Sequence, residues 1–340
     1  MVKVSVIVPL YNKGRFIARA LDSICGQTFA DFEVVVVDDG STDDGVEVVK
    51  SYSDPRIRLI QQANAGPGAA RNRGARESTA PYLAFLDADD EWLPDFLRVS
   101  MEALDAHPQC EVSVTSRYEG PARKDVTHVY VRRGVRAGTW SLSQCVGDTD
   151  PWRRWPMWYM GAVVCNRTAF EKLGGFYEKN RALVGEDTYL WIQLSLNCRV
   201  FVILSPLVWY HTEASDLGWH WRDAPFQHPQ LSDPETIRRN CPNEYRHLLE
   251  NRLAQTAFRG VAGLCERQDL AKAVSLLRAY PAIRRSVWNR VRLGIMMRFP
   301  KAYRMFRRTK AAIYSFARVS LRVFDTASVE PAAKTGQKPQ

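Results

Sequence analysis

The stretch Val2-Lys3-Val4-Ser5-Val6-Ile7-Val8-Pro9 alternates and then turns continuously apolar, which reads as a strand entering the middle of a sheet. Phe16, Ile17, Ala20, Leu21 and Ile24 follow at helical spacing, on a helix opening after Gly14. Glu33 to Val37 reads as a second buried strand, Val46 to Tyr52 as a helix, and Ile57 to Ile60 as a third strand. Pro67 to Glu77 is a helical stretch carrying Arg71, Arg73 and Arg76, and Tyr82 to Leu86 is another short apolar strand. Further on, Val112 to Thr115 and Val129 to Val131 are strand-like. A helix opens at Gly185-Glu186-Asp187, with Tyr189, Leu190, Ile192, Leu194 and Leu196 along it. Strands alternating with helices of about a dozen residues predict an α/β fold: a mostly parallel, Rossmann-like sheet with helices on both faces.

The polar positions that matter lie where these strands stop. The first ends in Pro9-Leu10-Tyr11-Asn12, the second in Asp38-Asp39-Gly40, and the fourth in Asp87-Ala88-Asp89-Asp90. Open α/β sheets bind ligands beyond the carboxyl ends of their strands, so all three converge on one expected pocket. If strand geometry continues past Leu86, Asp87 and Asp89 share a face, and two carboxylates that close call for a hard divalent cation between them. The plainer alternative is a polar connection in which one Asp caps the next helix, and Asp95 after Pro94 is the natural N-cap. No G-x-G-x-x-G follows the first strand and no G-x-x-x-x-G-K-S/T occurs, which disfavours a dinucleotide fold and an ATPase-type phosphate loop.

Charge changes the picture in the last third. The net charge is +10, and Ile237 to Asp325 holds twenty Lys/Arg against five acids, which predicts an anionic partner for that region. From Val287 to Phe324 basic and aromatic residues interleave on a helical pattern, as suits an anionic membrane surface or a solvated helical appendage. Seven cysteines, none in a C-x-x-C pair, argue against a disulfide framework or a zinc site and fit a reducing cytoplasm. No signal-peptide pattern opens the chain and no apolar stretch reaches membrane-spanning length.

Several runs together resemble the inverting family-2 glycosyltransferases: Val4 to Asn12, Gln27-Thr28-Phe29, Val37-Asp38-Asp39-Gly40-Ser41-Thr42-Asp43, Asn64-Ala65-Gly66-Pro67 through Ala70-Arg71-Asn72-Arg73-Gly74, and Phe85 to Asp90. The resemblance covers about Val2 to Ser215 and implies a GT-A fold and a nucleotide-sugar donor. Carried over residue by residue, it implies that Asp39 accepts a hydrogen bond from a uracil-like base held by Tyr11 and the main chain at Pro9. It places Arg71 near the nucleotide, Asp87 at the ribose, and Asp89 on a divalent metal, Mn²⁺ or Mg²⁺. It makes Asp187 the catalytic base, with Glu186 positioning, and gives His211 after Val208-Trp209-Tyr210 a metal or diphosphate contact. The motif departs from the commoner family pattern in having no arginine before that histidine. Among Trp140, Trp152, Trp155, Trp158 and Tyr159, the flat faces of Trp155 and Trp158 are expected to line the acceptor pocket.

The expected organisation is a catalytic domain over 1–232, a basic helical extension over 233–326, and a disordered tail over 327–340. The expected activity is metal-dependent, inverting transfer of a sugar from a nucleoside diphosphate, UDP by preference, to the hydroxyl of a glycan or lipid-linked acceptor. The setting is bacterial surface polysaccharide or glycolipid assembly, in the cytoplasm or on the inner membrane face. Two rivals remain open: a sugar-phosphate nucleotidyltransferase, which would want a fuller Gly-rich loop than Pro9 to Gly14 supplies, and a polyanion-binding protein acting through the basic tail. A nucleic-acid partner leaves the strand-end acids unexplained.

Overall fold

The computed structural model describes residues 2–146, 151–155, 159–215, 228–285 and 287–298. In chain order the elements are β1 (Val4–Leu10), α1 (Gly14–Cys25), β2 (Phe32–Asp38), α2 (Gly45–Lys50), β3 (Ile57–Gln61), α3 (Pro67–Arg76), β4 (Tyr82–Phe85), β5 (Glu91–Trp92) and α4 (Phe96–Ala106). There follow β6 (Val112–Glu119), β7 (Lys124–Asp125), α5 (Thr127–Arg132), β8 (Gly138–Trp140), β9 (Val163–Asn166), α6 (Arg167–Lys172), α7 (Glu186–Asn197) and β10 (Val200–Tyr210). The helices α8 (Pro229–Ser232), α9 (Glu235–Asn240), α10 (Arg246–Glu266), α11 (Leu270–Ala279) and α12 (Val287–Arg298) complete the series.

One sheet runs in the order β3-β2-β1-β4-β9-β6-β10-β5. Its first half is parallel, as the buried apolar runs predict, with Leu10 opposite Asp38 and Ile7 opposite Phe85. The ends of β1, β2 and β4 therefore lie side by side. The second half is mixed: β9 enters antiparallel between β4 and β6, while β10 runs parallel to β6 and antiparallel to β5.

Both faces of β1 are covered, which is why its sequence is apolar except at Ser5, whose hydroxyl donates to Glu33 Oε1 at 2.7 Å. Val4, Val6 and Val8 share a core with Ile17, Leu21 and Ile24 of α1 and with Phe96, Leu97 and Met101 of α4. On the other face, α3 comes so close that a Cβ on Gly74 would stand 2.4 Å from Ile7 Cγ2 and 3.2 Å from Val37 Cγ2. Only glycine admits that approach, and it fixes the height of α3 over the strand ends.

Three local expectations are revised. Val129 to Val131 lies in the helix α5 rather than a strand, since an apolar run this short fits either element. Asp95 stands at the N-cap of α4, but its carboxylate turns to Thr28 Oγ1 at 2.8 Å and Arg98 Nε at 3.0 Å instead of capping. The first compact unit runs to Leu253, past the boundary expected at 232, because α9 packs on α7 and Asn240 Nδ2 donates to Gln193 Oε1 at 2.7 Å.

The second unit begins at Ala254. Val261, Cys265, Ala273, Leu277, Ile283 and Met296 are among its most deeply buried apolar residues, and Asp269 caps α11 through Lys272 N. No helix among the described residues is long and apolar enough to cross a membrane. The basic stretch beyond Arg298 and the tail over 327–340 lie outside the described residues.

Candidate active site

A cleft of about 670 Å³ opens at the carboxyl ends of β1, β2 and β4, and the N-terminus of α7 forms its opposite wall. Pro9, Tyr11, Asp39, Arg71, Asp87, Asp89, Glu186 and Asp187 all line it. These residues are spread over 178 positions of sequence, and the parallel register gathers them. Tyr11 is 48% exposed, an aromatic face left open at the cleft mouth.

Two loops are locked before any ligand arrives. Asn12 adopts a left-handed backbone, φ 51°, which Asn tolerates better than most residues, and its Oδ1 accepts from Thr42 N at 2.8 Å. Asp39 is buried and takes three hydrogen bonds: from Gln62 Nε2, Ala65 N and Gly66 N, each at 2.8 Å. It organises the loop that leads into α3. A carboxylate has about four lone-pair sites, so one direction is left for an incoming donor such as an imide N–H.

Asp87 and Asp89 each meet a cation of the protein. Arg71 Nη2 donates to Asp87 Oδ1 at 2.6 Å, and Arg71 Nη1 to Glu186 Oε1 at 2.9 Å. Lys13 Nζ lies 3.0 Å from Asp89 Oδ2 and donates to Ala214 O at 2.7 Å. Burial, then the neighbouring Asp87, push the Asp89 carboxyl above its ordinary range, with Lys13 opposing. Arg71 thus lines the cleft with its guanidinium turned into two carboxylates, not held out for a phosphate. The Lys13 contact was not anticipated; its signal was a lone cation just past the Tyr11-Asn12 strand end.

At the other wall, Gly185 has φ 84°, a left-handed turn from which α7 departs with Glu186 and Asp187 in its first turn. Glu186 is buried, and burial followed by Asp187 raises its pKa to about 7 against the pull of Arg71. Asp187 is partly exposed at the cleft, and its Oδ1 is steered by Thr188 N at 2.5 Å. Burial also raises its carboxyl, while Arg71 and Thr188 oppose. Carboxyls shifted upward toward neutrality suit proton transfer.

Two expected roles find no support in this geometry. His211 is 3% exposed and is not part of the cleft wall. Its Nε2 meets Glu91 Oε1 and its Nδ1 meets Glu213 Oε1, both at 2.8 Å, and its ring stacks on Trp209. Both nitrogens are engaged, so none is offered to a metal. Trp155, expected at the acceptor, is 8% exposed and packs edge-on to Trp152. Its Nε1 donates to Ser195 Oγ at 2.5 Å, and the Arg252 guanidinium lies 4.8 Å over its ring, away from the cleft. Trp158 lies outside the described residues.

Asp90, beside the expected metal carboxylate, faces inward: Tyr159 Oη donates to it, as does His211 N at 3.0 Å. Burial, then Asp89 and Asp87, hold its carboxyl well above the usual range. Among the described residues no three His, Cys, Asp or Glu side chains converge as a ligand set for a metal ion.

Comparison with known proteins fits this arrangement. Residues 5–152 match the family model "Glycosyl transferase family 2". The chain is similar to the uncharacterized glycosyltransferase YibD of Escherichia coli, at 46% identity over 101 residues, 29% of each chain. It is also similar to glycosyltransferase GlyA of Streptococcus pneumoniae, at 40% identity over 118 residues, 34% of this chain and 17% of the relative. The matched stretch thus spans less than a third of either relative. In fold it resembles S. aureus TarS 1-349 in complex with UDP-GlcNAc, with a TM-score of 0.62 at 21% identity over 82% of each chain. The mannosyltransferase PcManGT of Pyrobaculum calidifontis, in complex with GDP-Man and Mn²⁺, aligns over 94% of this chain and 87% of its own, with a TM-score of 0.57 at 23% identity. Over residues 5–152, somewhat under half of the chain, the sequence is thus similar to the family-2 glycosyltransferases, and the fold is shared with these solved structures.

Proposed function

We propose that the chain transfers a sugar, with inversion, from a nucleoside diphosphate, UDP in our reading, to an acceptor hydroxyl. One observation carries the proposal: the strand-end acids Asp39, Asp87 and Asp89 face the Glu186-Asp187 turn across a single cleft. Tyr11 and Asp39 take the base, whose flat ring suits an aromatic face and whose imide suits a carboxylate. Asp187 removes the proton of the acceptor hydroxyl as its oxygen attacks the anomeric carbon, and the bond to the diphosphate breaks on the opposite side. Glu186, held by Arg71, sets the direction of Asp187.

The charge of the cleft supports a divalent ion, Mn²⁺ or Mg²⁺. Five carboxylates line it (Asp39, Asp87, Asp89, Glu186, Asp187) against three cations (Lys13, Arg71, Arg181), and a diphosphate adds further negative charge. Asp89 would hold the ion, which would take its other oxygens from the diphosphate and water, as Mg²⁺ in particular favours. When bound, the ion carries part of the charge gained by the departing nucleoside diphosphate. Assembly of a bacterial surface polysaccharide or glycolipid is the proposed setting, with the basic last third of the chain suited to an anionic surface.

The test is release of the nucleoside diphosphate (UDP or GDP) from a panel of UDP- and GDP-sugars, with Mn²⁺, Mg²⁺ or chelator, for the wild type and Asp187→Asn. We expect metal-dependent turnover of one donor. Asp187→Asn should bind UDP as the wild type does and lose about 10²- to 10⁴-fold in kcat, the span typical of general-base removal. Full turnover by Asp187→Asn, or turnover unaffected by chelator, would overturn the base or the metal assignment respectively.

A further inference from the structure

We infer that Arg71 is a positioning residue, a buried strut that fixes the Glu186-Asp187 turn against the end of β4, and that it makes no contact with the nucleotide. The inference rests on the reading of Asp187 as base and goes beyond it by naming what holds that base in place.

Both amino groups of the guanidinium are engaged by carboxylates, although the side chain borders the cleft. One amino group reaches Asp87 Oδ1 at 2.6 Å and the other Glu186 Oε1 at 2.9 Å. The flat face lies 5.4 Å from the Phe176 ring centroid, and Nε is buried with no hydrogen-bond partner. The side chain is 6% exposed. A planar fork is rigid, so two carboxylates bound edgewise fix their mutual distance as well as their charge. A phosphate claiming this arginine would have to displace either the buried Glu186, leaving it unpaired, or the partly exposed Asp87.

The next residue extends the clamp. Asn72 Nδ2 donates to Phe176 O at 2.8 Å and its Oδ1 accepts from Phe176 N at 2.9 Å, while Nδ2 also meets Glu178 Oε2 at 2.8 Å. Arg71 and Asn72 together tie the segment leading into α7 down onto α3. The backbones are close enough that a Cβ on Gly68 would stand 2.2 Å from Tyr177 O. With Glu186 pinned to Arg71, the following side chain lies about 100° around the helix, and that is Asp187 at the cleft.

The same arginine sets the charge of the turn. The groups that face Glu186 and Asp187 are Arg71 from α3, Asp87 from the end of β4, each other, and the ring of His228, which packs against Gly185. Arg71 opposes the upward push of burial on both carboxyls. Without its charge both pKa values rise further, so the base would stay protonated to a higher pH.

The experiment combines UDP titration by calorimetry in Mn²⁺ with the pH profile of UDP release, for the wild type, Arg71→Met and Arg71→Lys. Expected results are UDP affinity within about threefold of wild type in both variants and kcat lower by about 10²-fold, the cost of a small misplacement. The acidic limb should move to higher pH in Arg71→Met but stay near wild type in Arg71→Lys, which keeps the charge without the fork. A merely structural residue would not move that limb. A tenfold or greater loss of UDP affinity with the limb unmoved overturns the inference and restores Arg71 to the nucleotide. If Arg71→Met does not fold, Arg71→Lys decides alone: low kcat with normal UDP affinity supports the strut, and weak UDP binding with normal kcat overturns it. A wild type that binds no UDP, or an Asp187→Asn protein of undiminished rate, instead sinks the transferase reading beneath it.

Discussion

The parallel half of the sheet, β3-β2-β1-β4, delivers strand-end side chains into the cleft, whereas the mixed half around β9, β6 and β10 spends its most suggestive residues on packing. Asp39, Asp87 and Asp89 stand where the strands stop, and each lines the cleft. His211 and Trp155 have equally ligand-like chemistry, yet one is sandwiched between Glu91, Glu213 and Trp209, and the other is locked against Trp152, Ser195 and Arg252. His211 also follows directly on the end of β10, so the difference teaches that what packs around a strand end outranks residue type. An acid at the end of a buried parallel strand has the crevice in front of it. An aromatic in a connecting segment finds the core first, because burying its large apolar area is worth more than leaving it open.

The largest expected effect breaks that comparison directly. Trp155→Ala should cost about 3–5 kcal/mol of stability, as for other buried large-to-small changes, with KM for donor and acceptor unchanged in the folded fraction. Chemical denaturation with steady-state kinetics measures both. A stable variant with a raised acceptor KM would return Trp155 to the acceptor site. Next comes a matched pair, read by calorimetric titration of UDP in Mn²⁺. Asp89→Ala should lose at least about 100-fold in metal-dependent UDP affinity, since even outer partners of a metal ligand cost 10- to 100-fold. His211→Ala should stay within about threefold. Equal losses in the two variants would make His211 a ligand after all.

A smaller effect sharpens the donor side. Asp39 accepts from two backbone N–H groups, Ala65 and Gly66, and from the Gln62 amide. Asp39→Ala leaves those donors without their acceptor, at about 1–3 kcal/mol for each one that stays buried. It should also free the loop leading into α3, so hydrogen exchange at Ala65 and Gly66 should quicken together with the loss of UDP binding. Weak UDP binding with unchanged exchange would assign Asp39 to the base alone.

How much of this was legible follows from the same physics. The parallel half was readable because both faces of its strands are covered, so β1 and β2 are mostly apolar runs, and acids stand at the ends of β2 and β4. The start of α7 was readable from Gly185-Glu186-Asp187 and the apolar spacing behind it. The fate of His211 was not, because its partner Glu91 lies 120 residues away and meets it only through the antiparallel pairing of β5 with β10. Arg71 was placed in the cleft, but its ion pairs to Asp87 and Glu186 were not anticipated. A basic residue on a helix gives no sign of its own burial, and the bridge to Glu186 spans 115 residues. In the second half of the sheet the strands are mixed in direction and joined by longer connections, so local pattern says less about what faces what.

The last prediction concerns Asp90, which sits at the junction of the two halves. It continues the acidic run of β4, yet it bonds to Tyr159 and to the backbone of His211, both beyond the parallel strands. Burial first, then Asp89 and Asp87, hold its carboxyl well above the usual range. A folded-state pKa raised above the unfolded value means that the protonated form is favoured by folding. Its stabilising contribution is then complete below the ordinary carboxyl value of about 4 and is lost as pH rises through the folded value. Asp90→Asn keeps an acceptor for His211 N and a donor for the Tyr159 oxygen, but it cannot ionise. The variant should therefore gain on the wild type as pH rises from about 4 toward 8, by about 2–4 °C in Tm for each kcal/mol of penalty removed. Melting both proteins across that range, without metal or nucleotide, checks it. Parallel curves would mean that Asp90 ionises without penalty, and that the seam between the two halves holds a charge as readily as the cleft does.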